Sequence, residues 1–321
     1  MGKPWEIYDL MMDIVASEDA MIEELIVGLT WTYCRSSAVG LCMTADSRSR
    51  TFEWPGKIKG QSALKLADWI RDWDPMKSNI GMAVINSMIN QPSLKNSVKP
   101  IPIANVLLPN LSVFEYFLPV IKNKRCVVIG HYPGIETIQQ HCTMEIIELN
   151  PRLGDLPATA CEYVLPEAEW VFLSGTSIAN KTFPRLMELS QNANVVLMGP
   201  TVPWITELSE FGVDFLCGVE VKNYQQLKQT IAEGGGVNIF SDSVQYGLVD
   251  LGKQKMRYTR NKISTIVNQR EVLKDEMGAW YQVAGNVSYP KSLELVALDE
   301  ELSDLDSQYK KMWDLRQNFA S

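Results

Sequence analysis

From residue 111 to 250, short apolar runs rich in β-branched residues alternate with polar stretches of helical period. Arg125–Gly130, Met144–Leu149, Trp170–Gly175, Val195–Gly199 and Val213–Val219 show little of the apolar/polar alternation of a half-exposed strand. They therefore predict strands covered on both faces, a parallel sheet wound by helices. Before this region the pattern is mixed. Residues 4–24 carry apolar and acidic positions at helical spacing. IVGLTWTYCRS and AVGLCMTA then read as a hairpin around Ser36 and Ser37. Gly60–Trp73 and Ser78–Asn90 read as helices, and QPSLKNSVKPIPIAN, with three prolines and no period, reads as a connection.

After residue 250 the period changes again. Met256, Ile263, Ile266, Leu273, Met277 and Trp280 recur at heptad-like intervals, and so do Leu298, Leu302, Leu305, Tyr309 and Met312 beyond a break at Ser288–Pro290. This predicts a helical hairpin. It would be either a tail packed on its own domain or an arm, residues 253–321, through which a second copy or another protein docks. Three segments result: 1–95, 96–250 and 251–321.

Composition narrows the function. With 46% apolar residues the chain can bury a core, and a net charge of −8 predicts no nucleic-acid partner and no attraction to an acidic membrane surface. No apolar run reaches the ~18 residues of a membrane span, and the N-terminus lacks the basic-then-apolar pattern of a leader. A cytoplasmic protein is expected. Six scattered cysteines without a C-x-x-C pair, and only two histidines, do not write a closed zinc site.

Ligands of wound parallel sheets bind beyond the carboxyl ends of the strands. Here those ends carry Gly130-His131, Glu148 through Pro151, Ser174-Gly175-Thr176 and Gly199-Pro200-Thr201. His131 stands where a dinucleotide binder places glycine, so a pyrophosphate is not expected there. Its imidazole would ligate a metal, act as an acid or base, or be satisfied by a nearby carbonyl. Glu148 would hold a ribose hydroxyl or a cation, or simply end a strand. Asp155 lies in a loop stiffened by Pro151, Gly154 and Pro157, held for a ligand or capping a helix over 157–164. In SGTSIANKT, the hydroxyls and amide of Thr176, Asn180 and Thr182 suit an anion or a helix cap. Gly199 lets backbone approach a ligand, Thr201 adds a hydroxyl, and Pro203 would begin a helix. Glycines 234–236 read as a helix stop.

GLTWTYCRSSAVGLCMT, GQSALKLADWI and NIGMAVINSMIN resemble the first domain of the DUF4213/DUF364 proteins. VVIGHYPGIE, IIELNPRLGDLPATACEYVLPEAEWVFLSGTSIANKT, VVLMGPTVPW and FGVDFLCGVEV resemble the second. The resemblance implies an α/β protein. An α+β domain like the enolase N-terminal fold is followed by a Rossmann-like parallel-sheet domain, with the α-helical hairpin as an extension. It also implies that Trp31, Thr32, Ser78 and Gly81, with Asn86 beside them, face a cleft between the domains. Trp31 reads more readily as core than as a stack for a ligand. The family's label, heavy-metal chelation, implies a metal ion or a metal-containing or chelating small molecule as ligand. His131, Glu148 and Asp155 would form the ligand set, and a divalent ion is the cofactor such donors would take. Two other readings stand beside this one. One is an enzyme acting on a small anionic or heterocyclic metabolite with His131 as acid/base. The other is a metallocofactor assembly factor that recruits its partner through the hairpin.

Overall fold

The computed structural model describes residues 4–18, 20–46, 52–95, 98–284 and 287–319. Asp19 of the expected first helix lies outside them. So do Asn96 and Ser97 of the connection, and Gly285, Asn286, Ala320 and Ser321 of the hairpin region. Two units divide the chain between Leu251 and Gly252.

The first unit opens with α1 (Glu6–Val15), whose Ile7, Tyr8, Met11 and Val15 fall on one buried face. The helix stops at Val15 instead of reaching residue 24. Glu24–Val27 is strand β1, which pairs antiparallel with β2 (Trp31–Arg35), itself paired with β3 (Val39–Met43). So short an apolar–acidic stretch fits either period, and the strand partner decides. Helix α2 (Ala63–Ala67) continues as a 3-10 turn over Asp68–Arg71. Then comes α3 (Pro75–Ile89), started by Asp74, whose carboxylate accepts the Met76 and Lys77 amides. Helix α3 is buried on all sides, including Ser78, Asn79, Asn86 and Ser87. It lies directly against β3, where a Cβ on Gly40 would sit 2.2 Å from the Ala83 carbonyl oxygen.

The short α4 (Pro92–Lys95) and β4 (Ile101–Pro102) lead to α5 (Ser112–Ile121) and the main sheet. Its successive elements are β5 (Arg125–Ile129), α6 (Glu136–Gln139), β6 (Thr143–Glu148), β7 (Leu156–Pro157), α7 (Cys161–Val164) and β8 (Trp170–Ser174). They continue with α8 (Thr176–Ala179), α9 (Phe183–Leu189), β9 (Asn194–Met198), β10 (Phe215–Cys217) and β11 (Val219–Val221). Finally come α10 (Tyr224–Ala232), α11 (Ile239–Asp242) and β12 (Val244–Asp250). The strand order is β11-β12-β10-β9-β8-β5-β6-β7, with β4 on β12. All pairs from β10 to β7 are parallel, whereas β12 runs antiparallel to its neighbours.

The expected strand Val213–Val219 divides at Gly218, against which the Trp204 ring packs; a Cβ there would lie 2.9 Å from the ring. Pro203 does not begin a helix, because the next helical turn starts at Thr206. Sheet order reverses between β5 and β8, since the chain leaves β5 toward β6 and returns on the other side. Such a reversal opens a crevice at the carboxyl ends of the two strands.

The second unit is α12 (Gly252–Ala284) followed by α13 (Ser292–Phe319). Each of the eleven apolar residues expected on its seam is buried or half-buried, with Ile266, Leu305 and Met312 the most covered. Lys262–Glu301 (2.8 Å) and Arg270–Asp299 join the helices. Among the described residues no helix is long and apolar enough to cross a membrane.

Candidate functional site

Three neighbouring strands end at glycines that extend the sheet by one more hydrogen bond. Gly130 donates to Ile147 O (2.9 Å), Gly175 to Met198 O (2.8 Å) and Gly199 to Cys217 O (3.0 Å). Gly130 and Gly199 turn the chain at φ +108° and +109°, a region that favours glycine. The space they leave is occupied by Tyr132. A Cβ on Gly199 would be 3.8 Å from the Tyr132 hydroxyl, and one on Gly130 would be 3.8 Å from its ring and 3.4 Å from Ser174 Cβ. Phe114 packs edge-on against the phenol at 5.3 Å. Burial pushes the phenol pKa well up, with the Ser174 hydroxyl opposing, so the ring is a neutral filler of the crevice. A dinucleotide pyrophosphate would need this space. The signal in the sequence was an aromatic residue two places after the strand-end glycine.

His131 points its two polar ends differently. Its backbone N–H donates to Glu148 Oε2 (2.8 Å), and Glu148 Oε1 accepts the Leu149 amide (2.9 Å). Both carboxylate oxygens of Glu148 therefore hold backbone at the ends of β5 and β6. The His131 ring nitrogen Nδ1 lies 3.0 and 3.1 Å from the two oxygens of Asp155. Asp155 also accepts the Arg152 amide (3.0 Å), and the two side chains are only 10% and 3% exposed. Burial would raise the Asp155 pKa, but the Arg152 amide and the His131 ring outweigh it and hold the carboxyl below its usual range. A carboxylate against Nδ1 keeps the proton there and leaves Nε2 with a free lone pair. Nε2 lies 3.7 Å from Oε1 of Glu136, a carboxylate 65% exposed at the start of α6. Sequence reasoning did not single out Glu136; its signal was the fifth place after His131, across a Pro-Gly turn.

Asp155 does not cap the following helix, which begins as a 3-10 turn at Ala158 without a side-chain cap. Among the described residues no three His, Cys, Asp or Glu side chains gather into a ligand cluster. His131, Glu148 and Asp155 are neighbours, but the two carboxylates support the histidine instead of converging with it on one point.

Most of the remaining anticipated residues join distant parts of the unit, whereas Thr176, Asn180 and Thr182 bond only to close neighbours in the chain. Trp31 Nε1 donates to Gly236 O (2.9 Å), and the Thr32 hydroxyl pairs with that of Thr44 (3.0 Å). Ser78 donates to Ala179 O (2.6 Å) and accepts Lys181 Nζ (2.5 Å). Gly81 admits close packing, since a Cβ there would be 2.3 Å from Ile70 N. Asn86 donates to Leu41 O and Thr201 O, while the Thr201 hydroxyl accepts the Met43 amide (2.9 Å). Asn180 accepts both the amide and the hydroxyl of Thr182, and Thr176 pairs with Ser174 (2.7 Å). Lys181, at φ +70°, sits over the Tyr8 ring (5.3 Å), and burial pushes its pKa down to about 8.

The DUF4213 and DUF364 profiles, both described as "Putative heavy-metal chelation", match residues 8–89 and 112–250. A crystal structure of a DUF364-family protein of unknown function from Desulfitobacterium hafniense DCB-2 is 30% identical. It aligns at a TM-score of 0.67 over 77% of this chain and 98% of that one. A DUF364-family protein of unknown function from Pyrococcus horikoshii shares the fold at 20% identity. Its TM-score is 0.61, covering 77% of this chain and 99% of that one. No curated protein matches the chain. The profiles stop at Asp250, so the hairpin lies beyond both. The chain belongs to the DUF4213/DUF364 family.

Proposed function

We propose that the chain binds a divalent metal ion carried by a small chelating molecule, with His131 Nε2 as the protein's principal donor. The observation that carries this is the buried Asp155–His131 bond. A metal-ligating histidine characteristically gives its other ring N–H to a carboxylate, which fixes the ring and strengthens the donor. Glu136, 3.7 Å from Nε2, is the second donor within reach. Imidazole with carboxylate suits a borderline ion such as Zn(II), Ni(II) or Co(II). Two protein donors leave coordination positions open, which is why the ion is read as arriving with its own ligands. The family description agrees with metal binding in this general sense.

Full-length protein purified without oxygen is expected to hold metal in roughly one-to-one ratio by elemental analysis. Intact-mass measurement under non-denaturing conditions should then show an added mass larger than the bare ion. Protein that carries neither ion nor ligand, and takes up neither from cell extract, would contradict the proposal. The same dyad is also what a general base requires. An added organic mass without metal would favour chemistry on a metabolite, with His131 as acid/base.

A further inference from the structure

Of the five leucines that stand exposed among the described residues of the first unit, four lie on two loops beside His131. They are Leu107 and Leu108 before α5, and Leu149 and Leu153 after β6. Leu107 is 96% and Leu153 106% exposed, so both side chains stand in solvent. Both loops are fixed to the histidine turn. Arg152–Asp155 is a tight turn in which the Asp155 amide donates to Arg152 O (3.0 Å) and Gly154 takes φ +98°. Its last residue supplies the carboxylate that holds the His131 ring and the Arg152 amide, so Leu153 sits at the tip of a turn clamped to the imidazole. On the other loop the Leu111 amide donates to Leu108 O (2.8 Å) and the Asn110 side chain to Pro133 O (2.8 Å). A Cβ on Gly134 would be 2.8 Å from Leu108 Cδ1, so this leucine lies on the turn that follows His131. Surface leucines scattered singly call for no account, but a group of them held around one donor marks a binding rim. Tyr132 fills the crevice beneath, so a molecule held at His131 rests on this rim and not within the sheet.

We infer that the molecule bound at His131 is a metal chelate with apolar flanks, its organic part lying against Leu107, Leu108, Leu149 and Leu153. The inference rests on the reading of His131 as the metal donor. The open coordination positions call for donor atoms on the chelator, and the leucines select a chelator that carries those atoms on a hydrocarbon or aromatic frame. A hydrated ion, or a chelate made of a small polar acid, would leave all four side chains in water. Covering part of two leucine side chains is worth about tenfold in affinity.

The test compares two Ni(II) complexes of equal charge, each with a neutral ligand that offers three nitrogen donors. Terpyridine is flat and aromatic, whereas diethylenetriamine is a polar chain. Calorimetric titration of the full chain should show wild type binding the terpyridine complex about tenfold or more tightly than the other. A Leu107→Ser/Leu153→Ser chain, altered only where side chains stand in solvent, should bind the terpyridine complex no better than the diethylenetriamine complex. His131→Ala should bind neither. Equal affinities in wild type, both lost in His131→Ala, would overturn the inference and leave the histidine standing as a donor. A terpyridine preference that survives in the leucine variant would overturn it as well, because the apolar contact would lie elsewhere. Wild type that binds neither complex, or His131→Ala that binds both as wild type does, would remove the donor and the inference together. Wild type without the preference that sediments with phosphatidylcholine vesicles, while the leucine variant does not, would assign the rim to a membrane surface and overturn the inference.

Discussion

An Asp155→Asn chain is expected to bind a divalent ion about 10- to 100-fold more weakly than wild type, the usual cost of removing the carboxylate behind a ligating histidine. The asparagine keeps the size of the side chain and still offers an oxygen to the Arg152 amide, which Asp155 accepts at 3.0 Å. What it loses is the charge that favours a proton on Nδ1 of His131, 3.0 Å away. An amide can also turn its NH2 toward the ring, which would place the proton on Nε2 and block the metal-facing lone pair. Competition titration with Zn(II) measures the change, and an unaltered affinity would mean that the bond does not tune a metal donor. The same substitution has a signature in acid. The Asp155 carboxyl is held below its usual range in the folded protein. Its ionised form therefore stabilises the fold fully at pH values above about 4, the unfolded value. That contribution fades as pH falls through the lower folded value. Urea midpoints of wild type and Asp155→Asn should differ most near neutrality and converge as the carboxyl is protonated.

Gly40→Ala should produce the largest loss of stability from a single methyl group, about 3 kcal/mol, the upper end of the usual cost of overpacking. The new Cβ would lie 2.2 Å from both the Ala83 carbonyl oxygen and the Ser87 amide nitrogen, and 2.7 Å from the Asn86 carbonyl carbon. All three are backbone atoms of α3, so no side chain can rotate to relieve the clash. Helix α3 would have to move off β3 as a body. The bonds at stake are Asn86 to Leu41 O and Thr201 O, and Ser36 to Ser87 (2.6 Å). Because Thr201 also accepts the Met43 amide, the displacement would reach the β9 end of the main sheet. Equilibrium unfolding in urea reads the loss; a midpoint within error of wild type would mean that the close approach of strand and helix is misplaced.

The main sheet was legible because its strands are buried on both faces and so appear as unbroken apolar runs. Four of the five expected strands lie within a residue of their observed ends. The hairpin was legible for a related reason: one long seam repeats a single period many times. Where an element is short the pattern loses force: the helix expected to reach residue 24 ends at Val15, and Glu24 already belongs to β1.

The site was legible in part. A histidine after a buried strand and an aspartate in a stiff loop pointed to the right turn, but their contact requires β6 and its following loop to lie beside β5. Glu148 looked like a ligand because sequence shows a carboxylate without the two amides that occupy it. Thr201, Asn86 and Ser78 looked available for the same reason; their partners are far away in the chain.

The most direct test of the account is a Zn(II) titration of full-length wild type beside His131→Ala, under competition from a chelator and with folding checked by circular dichroism. Wild type should show roughly one divalent site that is absent from the folded variant. Equal affinity in the two chains would contradict it, because Nε2 of His131 would then not be the donor that holds the ion.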